Sequence, residues 1–339
     1  MPATVHLSST HPYTALTPEL ILDAVETYGV RCTGGLLALN SYENRVYRVE
    51  TEEGGVLVAK FYRPRRWSDA AILEEHAFVR LLAEHDIPAI PPLAANGATL
   101  NHHRGFGFAV FPWQPGRASE LNHPDERVML GRYLGRLHRL GLAAPFRDRP
   151  ILTIQNHGDE PVAYLLKNGF IPDYLHAPFA TLAETLLRAT EQIFAGIDHR
   201  VLRLHGDCHL GNILWTPTGA HIVDFDDCCM GPAIQDIWML LSGTREESAL
   251  QLADILQGYT QFADFNPAEL QLIEPLRTLR MLHYSAWLAR RWDDPAFPRN
   301  FPWFNTTRYW EEQILALREQ QALLQEEPLP WLDKQGGNR

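Results

Sequence analysis

The sequence predicts an α+β chain in two lobes: a small N-terminal antiparallel sheet carrying a helix, and a larger, mainly helical C-terminal lobe. Three observations predict it. Strand-prone runs crowd the first third, at residues 36–39, 45–49, 56–62 and 106–111. From Pro124 onward the apolar residues recur at helical spacing instead. At 339 residues the chain is long enough for two cores. The change of period follows the break Pro112-Trp113-Gln114-Pro115-Gly116 and divides the chain into 1–112 and 113–339.

Thr17-Pro18-Glu19 opens the first helix, with a capping hydroxyl, proline in the first turn and an acid at the positive end. The helix is expected to run to about Tyr28 and stop at Gly29. Leu36–Leu39 and the alternating Arg45–Val49 follow as strands, joined by Asn40-Ser41-Tyr42-Glu43-Asn44. That loop either offers backbone N–H groups and the Ser41 hydroxyl to a phosphate, with Asn44 beside them, or is an ordinary polar turn. Gly54-Gly55 turns the chain into the strand Val56–Tyr62, which contains Lys60. A lysine in an apolar strand is costly unless its charge has a partner or it faces water at an edge. The next helix, through Ala70–Leu82, places Ile72, Glu75, Val79 and Leu82 on one face. Glu75 therefore projects from an inward stripe, while Glu74 shares the neighbouring stripe with Phe78 and Leu81; either could meet the lysine. Phe106–Phe111 is the last strand of this lobe, and Phe111 and Trp113 flank Pro112, where the break that follows it begins.

In the C-terminal lobe, Val128–His138 reads as a buried helix whose Gly131 and Gly135 allow close packing. A second amphipathic helix runs through Ala177–Ile197. Then comes His205-Gly206-Asp207-Cys208-His209-Leu210-Gly211-Asn212, a polar loop before a β-hairpin. Ile213-Leu214-Trp215 and His221-Ile222-Val223 are its strands, with Thr216-Pro217-Thr218-Gly219 as the turn and Asp224 at its far end. The hairpin brings Asp207, Asn212 and Asp224 towards one spot. A carboxylate there can accept a proton from a hydroxyl, while an amide oxygen and a second carboxylate hold Mg²⁺ on a nucleotide's phosphates. Beyond it, Asp236-Ile237-Trp238 begins a helix, and residues from Ala249 to about Gln325 are mostly helical. Arg277, Arg280, Arg290 and Arg291, among Tyr284, Trp287 and Trp292, are either a basic face for an acidic substrate or solvated charges paired with nearby acids.

The spacing of Asp207 and Asn212 reproduces the D-x-x-x-x-N of the kinase catalytic loop, and Asp224-Phe225 stands where a metal-binding Asp-Phe would follow. Val58-Ala59-Lys60 is similar to the V-A-I-K strand whose lysine grips phosphates. The HGDxHxxN form resembles the aminoglycoside-phosphotransferase-like branch of the kinase-like phosphotransferases. Four stretches narrow this: residues 39–47, residues 61–67, Gly206-Asp207-Cys208-His209, and Arg290-Arg291-Trp292-Asp293-Asp294-Pro295-Ala296-Phe297-Pro298. They resemble the bacterial stress response kinase A family, over nearly the whole chain.

That resemblance implies a bilobal protein-kinase-like fold and a Ser/Thr protein kinase acting in cytoplasmic stress responses, with ATP as co-substrate and Mg²⁺ as cofactor. The implied acceptor is a Ser/Thr hydroxyl of a protein, this chain itself included, and a monomer is expected. By it Asp207 orients and deprotonates the acceptor, with Asp224 beside it in catalysis; Asn212 and Asp224 bind Mg²⁺. Lys60 holds the nucleotide phosphates and Glu75 fixes Lys60. Ser41 and Asn44 belong to the phosphate-covering loop, and Phe111 and Trp113 to the hinge that binds adenine. A small-molecule kinase of the aminoglycoside, choline or homoserine type is the alternative on the same fold. A metal hydrolase using His205, Asp207 and His209, or a partner-binding pseudokinase, would need other chemistry.

A net charge of −11 argues against a nucleic-acid partner, which demands a basic face. No run of about 18 apolar residues offers a membrane span. The first residues show neither the basic start nor the apolar core of a secretory leader. The four cysteines have no bridge spacing, so reduced thiols in a cytoplasmic protein are expected. Neither a P-loop nor a complete dinucleotide fingerprint occurs.

Overall fold

The computed structural model describes residues 12–118, 120–217 and 219–332. The expected leader-free start at residues 1–11 and Thr218 of the hairpin turn lie outside these. The chain forms two compact units.

The first comprises the described residues up to Asp69 together with Pro92–Trp113 and Arg290–Phe304. It contains α1 (Pro18–Glu26), β1 (Cys32–Ala38), β2 (Arg45–Thr51), β3 (Val56–Phe61), β4 (Asn101–His103) and β5 (Phe106–Pro112). The strands make one antiparallel sheet in the order β1-β2-β3-β5-β4. Thr17 caps α1, its hydroxyl accepting the Leu20 N–H at 3.3 Å. The helix ends two residues earlier than expected because Thr27 caps it and Gly29 turns away at φ +81°. The twofold side-chain alternation of strands decides the sheet's faces. Val49, Ala59, Phe61, Phe106, Phe108 and Val110 cluster with Leu20, Ile21, Ala24 and Val25 of α1. Phe61 and Phe108 pair across strands and stack with ring centres 5.4 Å apart. Lys60, one residue out of phase, belongs to the other face.

The second unit comprises Ala70–Pro91, Gln114–Ala289 and Asn305 onward. Its elements are α2 (Asp69–Glu84), β6 (Arg117–Ala118), α3 (Pro124–Gly141), α4 (Glu160–Lys167), α5 (Asp173–Gly196), β7 (Leu202–Leu204), β8 (Ile213–Thr216), β9 (Gly219–Ile222), β10 (Cys229–Gly231), α6 (Ile234–Trp238), α7 (Arg245–Tyr259) and α8 (Ile273–Arg290). Past it come the short α9 (Ala296–Asn300), in the first unit, and α10 (Thr307–Leu323). Helix α2 joins this unit because Phe78, Val79 and Leu82 enter its core with Leu134, Leu137, Leu204, Ile222 and Phe225. Helices α3 and α7 cross at backbone contact: a Cβ on Gly131 or Gly135 would strike the carbonyl of Ile255 or Tyr259, and one on Gly258 that of Val128. Strand β8 pairs with β9 as the expected hairpin and with β6 on its other edge. Strand β10 returns antiparallel to β7, so the segments entering and leaving the polar loop region are hydrogen-bonded neighbours. No helix among the described residues is long and apolar enough to cross a membrane.

Candidate active site

The loop after β7 is held from below by a buried carboxylate. Asp236, fully buried in α6, accepts the backbone N–H of His205 at 2.7 Å and of Gly206 at 2.8 Å. Its Oδ2 also meets His138 Nε2 at 3.1 Å, and His138 Nδ1 lies 3.0 Å from the Tyr259 hydroxyl. His138, at the end of α3, is thus part of the loop's support. Gln235 adds a hydrogen bond from Nε2 to the Gly206 carbonyl, and Trp238 Nε1 in turn orients Gln235. Gly206 has φ +86°, and a Cβ there would strike the Asp227 carbonyl. Both facts demand glycine at this turn.

Hydrogen bonds then tie Asp207 and Asn212 to each other and to Val223, the residue before Asp224. Asn212 donates its amide nitrogen to the Asp207 carbonyl at 2.9 Å, which leaves its oxygen as the atom able to ligate a cation. The Asn212 carbonyl accepts the N–H of Val223 at 3.0 Å, immediately before Asp224. His205 completes the link: Nε2 donates to the Val223 carbonyl at 2.8 Å, and Nδ1 accepts the Asp207 N–H at 3.3 Å. With both ring nitrogens of His205 used, the set a metal hydrolase would need is not assembled. Asp224 is exposed and has left-handed backbone, φ 59° and ψ 67°, a strained conformation for a residue other than glycine. The Asn212 amide oxygen and the Asp224 carboxylate, with Asp207 as a second carboxylate, suit Mg²⁺, which takes one or two carboxylates plus phosphate and water oxygens. Among the described residues no three His, Cys, Asp or Glu side chains form a group that could hold a metal ion by themselves.

Asp207 is half-buried and engaged at both oxygens. Arg280 of α8 donates from Nη1 to Oδ1 at 2.7 Å, and His209 Nε2 lies 3.4 Å from Oδ2. His209 Nδ1 accepts the Gly211 N–H at 2.9 Å, which puts the ring proton on Nε2 in the neutral form. Burial pushes the Asp207 carboxyl up, but the His209 hydrogen bond and the Arg280 charge outweigh it and hold it well below the usual carboxylate range. The carboxylate is therefore ionised throughout the neutral range. Arg280 was legible only as a member of a basic helix face; its partner is 73 residues distant in sequence.

The remaining expected residues lie as follows. Lys60 is 6% exposed in β3, in register with Val46 and Ala109, its Nζ 5.2 Å from the Tyr62 ring centre. In α2 the two candidate glutamates part company. Glu74 accepts the backbone N–H groups of Arg147, Asp148 and Arg149 at 2.7, 2.7 and 3.1 Å. Glu75 is 2% exposed and shares its surroundings with Arg149, Cys228 and Asp226. Arg149, which sequence reasoning missed, is buried and binds the carbonyls of Cys228 and Asp226. Burial opposes its charge, but the neighbouring Cys228, Glu75, Asp226 and Asp227 more than restore it. It sits in an irregular segment with no periodicity to mark it. Burial pushes the Cys208, Cys228 and Cys229 thiols up, away from reactivity.

The loop before β2 is shaped by its own side chains. The Ser41 hydroxyl donates to the Asn44 carbonyl at 3.2 Å, and buried Asn44 accepts the Arg63 N–H at 3.0 Å. Around it an ion-pair cluster gathers the family-like stretches. Glu43 meets Arg63 at 3.6 Å, Arg66 at 3.8 Å and also Arg291; Asp294, almost fully buried, meets Arg63 at 2.9 Å and Arg45 at 3.5 Å. This cluster is why Arg290–Phe304 groups with the sheet. Phe111, partly buried, is the residue before the last of β5, and the Arg48 guanidinium covers the Trp113 ring at 5.7 Å.

Residues 36–273 match the phosphotransferase enzyme family. Stress response kinase A of Escherichia coli (strain K12) is 45% identical over 328 residues, 95% of this chain and 98% of that relative. A Salmonella typhimurium relative bearing the name serine/threonine protein kinase RdoA is 45% identical over 94% of this chain and 96% of its own. Among solved structures, amicoumacin kinase hAmiN in complex with AMP-PNP, Ca²⁺ and Ami superposes with a TM-score of 0.71. At 19% identity, over 93% of this chain and 95% of that one, it establishes the fold alone. The α+β fold with its small antiparallel sheet is therefore that of the phosphotransferase enzymes, and the chain is a kinase that belongs to the stress response kinase A family.

Proposed function

We propose that this kinase transfers the γ-phosphoryl group of ATP, with Mg²⁺, to a Ser or Thr hydroxyl of a protein, its own chain included, in a cytoplasmic stress response. The observation that carries this reading is the hydrogen-bonded unit that joins Asp207 and Asn212 to Val223, the residue before Asp224. The names of the relatives support the stress role and the Ser/Thr acceptor.

In this reading residues 1–112 supply the nucleotide-binding part and 113–339 the catalytic and substrate part. Asp207 receives the acceptor hydroxyl and takes its proton. Asn212 Oδ1 and the Asp224 carboxylate would hold the cation, which when bound offsets the charge of the phosphates. Lys60 grips the phosphates. Glu75 pairs with it, since Glu74 is occupied by three backbone amides. Ser41 and Asn44 set the shape of the loop whose N–H groups cover the phosphates, and Phe111 and Trp113 flank the adenine-binding backbone.

The test is Asp207→Asn. Such catalysis is positioning and charge neutralisation, and loss of the group that receives the proton costs about 10²–10⁴-fold. Labelled ATP should no longer pass phosphate to protein, while nucleotide affinity by calorimetry stays within a few-fold of wild type. A wild-type rate in this variant would remove Asp207 from the role. Amicoumacin kinase shares the fold, so small alcohols run beside protein acceptors distinguish the two substrate classes.

A further inference from the structure

Helix α8 carries a polar and aromatic stripe. Arg277, Arg280, Tyr284 and Trp287 follow one another at intervals of three or four residues, one helical face. The two arginines differ in kind. Arg277 pairs with Glu274 of its own helix at 3.1 Å and covers the Trp238 ring at 5.1 Å, an ordinary structural fate. Arg280 reaches out of its helix to Asp207 Oδ1 at 2.7 Å. The pair is open to water, with side-chain exposures of 43% and 26%, and pairs so placed contribute little to stability. The exposed guanidinium is therefore within reach of a competing anion, which can take over the contact it makes with Asp207. One and two turns further along, Tyr284 is exposed and stacks on Trp287 with ring centres 5.7 Å apart at 15°, a flat wall for an extended chain.

We infer that Arg280 is a specificity-determining residue that reads an anionic group, carboxylate or phosphate, flanking the acceptor hydroxyl of the substrate. The inference rests on the reading of Asp207 as the residue that receives that hydroxyl. An acceptor placed on Asp207 brings its neighbours within reach of the guanidinium. Two residues of extended peptide span roughly 6.6 Å, so the anionic residue stands within one or two positions of the target. The planar fork of arginine matches either anion with two hydrogen bonds. Its transfer to that anion frees Oδ1 for the hydroxyl proton. A cationic acceptor meets the same guanidinium as a repulsion. The stripe thus selects against amino alcohols and for acidic or already phosphorylated segments.

The experiment measures kcat/KM with Mg·ATP for matched serine peptides flanked by Ala, Asp, phosphoserine or Lys, and for small alcohols bearing a carboxylate or an amine. Wild type, Arg280→Gln, Arg280→Lys and Arg280→Glu are compared, each checked for a wild-type melting temperature. Wild type should favour the anionic acceptors about tenfold or more over neutral ones, mainly through KM. Arg280→Gln should narrow that ratio to within about twofold, and Arg280→Glu should turn it towards Lys. Arg280→Lys, with charge but no fork, should fall between. The Asp and phosphoserine arms tell which anion is preferred. Equal use of all acceptors by wild type overturns the inference. So does a ratio unchanged in Arg280→Gln, or a uniform gain on all acceptors, which would make Arg280 a latch on Asp207. Transfer to alcohols alone overturns the protein-kinase reading instead, and the carboxylate-to-amine ratio then still decides for or against Arg280.

Discussion

Replacing Asp236 by Asn tests whether the polar loop is positioned from beneath. The substitution keeps the volume and exchanges one oxygen for an NH₂ group. If that group takes the place of Oδ1 it faces the Gly206 N–H, now 2.8 Å away; in the place of Oδ2 it faces the His205 N–H, now 2.7 Å away. His138 can relieve its own part by switching tautomer against the Tyr259 hydroxyl, but a backbone N–H cannot turn round. One hydrogen bond to a charged group is lost and one buried donor is left facing another, together about 3 kcal/mol. For a unit of this size that lowers the melting temperature by roughly 6–12 °C. A loop displacement on the order of 1 Å also costs about 10²-fold in rate. Calorimetry and steady-state kinetics give both quantities, with kcat falling and KM for ATP little changed. A variant melting within a degree of wild type and turning over at a similar rate would refute the view that Asp236 sets the loop's position.

Two further substitutions follow from the packing and the electrostatics. Gly131→Ala drives a methyl group into the Ile255 carbonyl of α7, and backbone gives way poorly, so about 2–3 kcal/mol of stability is lost and the melting temperature falls by several degrees. An unchanged melting curve would show that the crossing of α3 and α7 is loose. Burial pushes His157 down to about 4, beside His283 at 4.9 Å between ring centres. Its neutral form is favoured by folding, so its contribution is whole above pH 6.5 and is lost as pH falls towards 4, at most about 3 kcal/mol. His157→Gln should flatten melting temperature against pH across that window; parallel curves for the two proteins would count against it.

What was legible in the sequence was local chemistry at fixed spacing. Asp207 and Asn212 are five residues apart, and a strand-turn-strand pattern brings Val223 back beside Asn212, so these contacts needed no knowledge of distant segments. The glycines of α3 were legible for the same reason, since two small residues four apart mark one helix face. Glu74 and Glu75 could not be told apart, because both occupy plausible stripes of α2. What separates them in the fold is that residues 147–149 offer their amides to Glu74, across more than seventy positions. Arg280 and Arg149 were hidden likewise: each acts on a partner that only the tertiary fold supplies. The short strands β4, β6 and β10 have two or three residues each, too few for any period to show. Their existence is a property of the neighbour they pair with.

The ring after Asp224 sets a limit on how this kinase can be throttled. Phe225 is buried, edge-on to Phe78 with centres 6.1 Å apart and 4.5 Å from the His205 ring, and β10 begins four residues later, paired to β7. Vacating that slot would expose an aromatic side chain at a cost of about 2–3 kcal/mol before any strand is undone, so an outward-swung arrangement is populated to a per cent or so. The backbone at Asp224 is thereby held in one arrangement. Throttling then falls on access to the loop, and a compound that requires the Phe225 slot to be empty would have to open it against that cost.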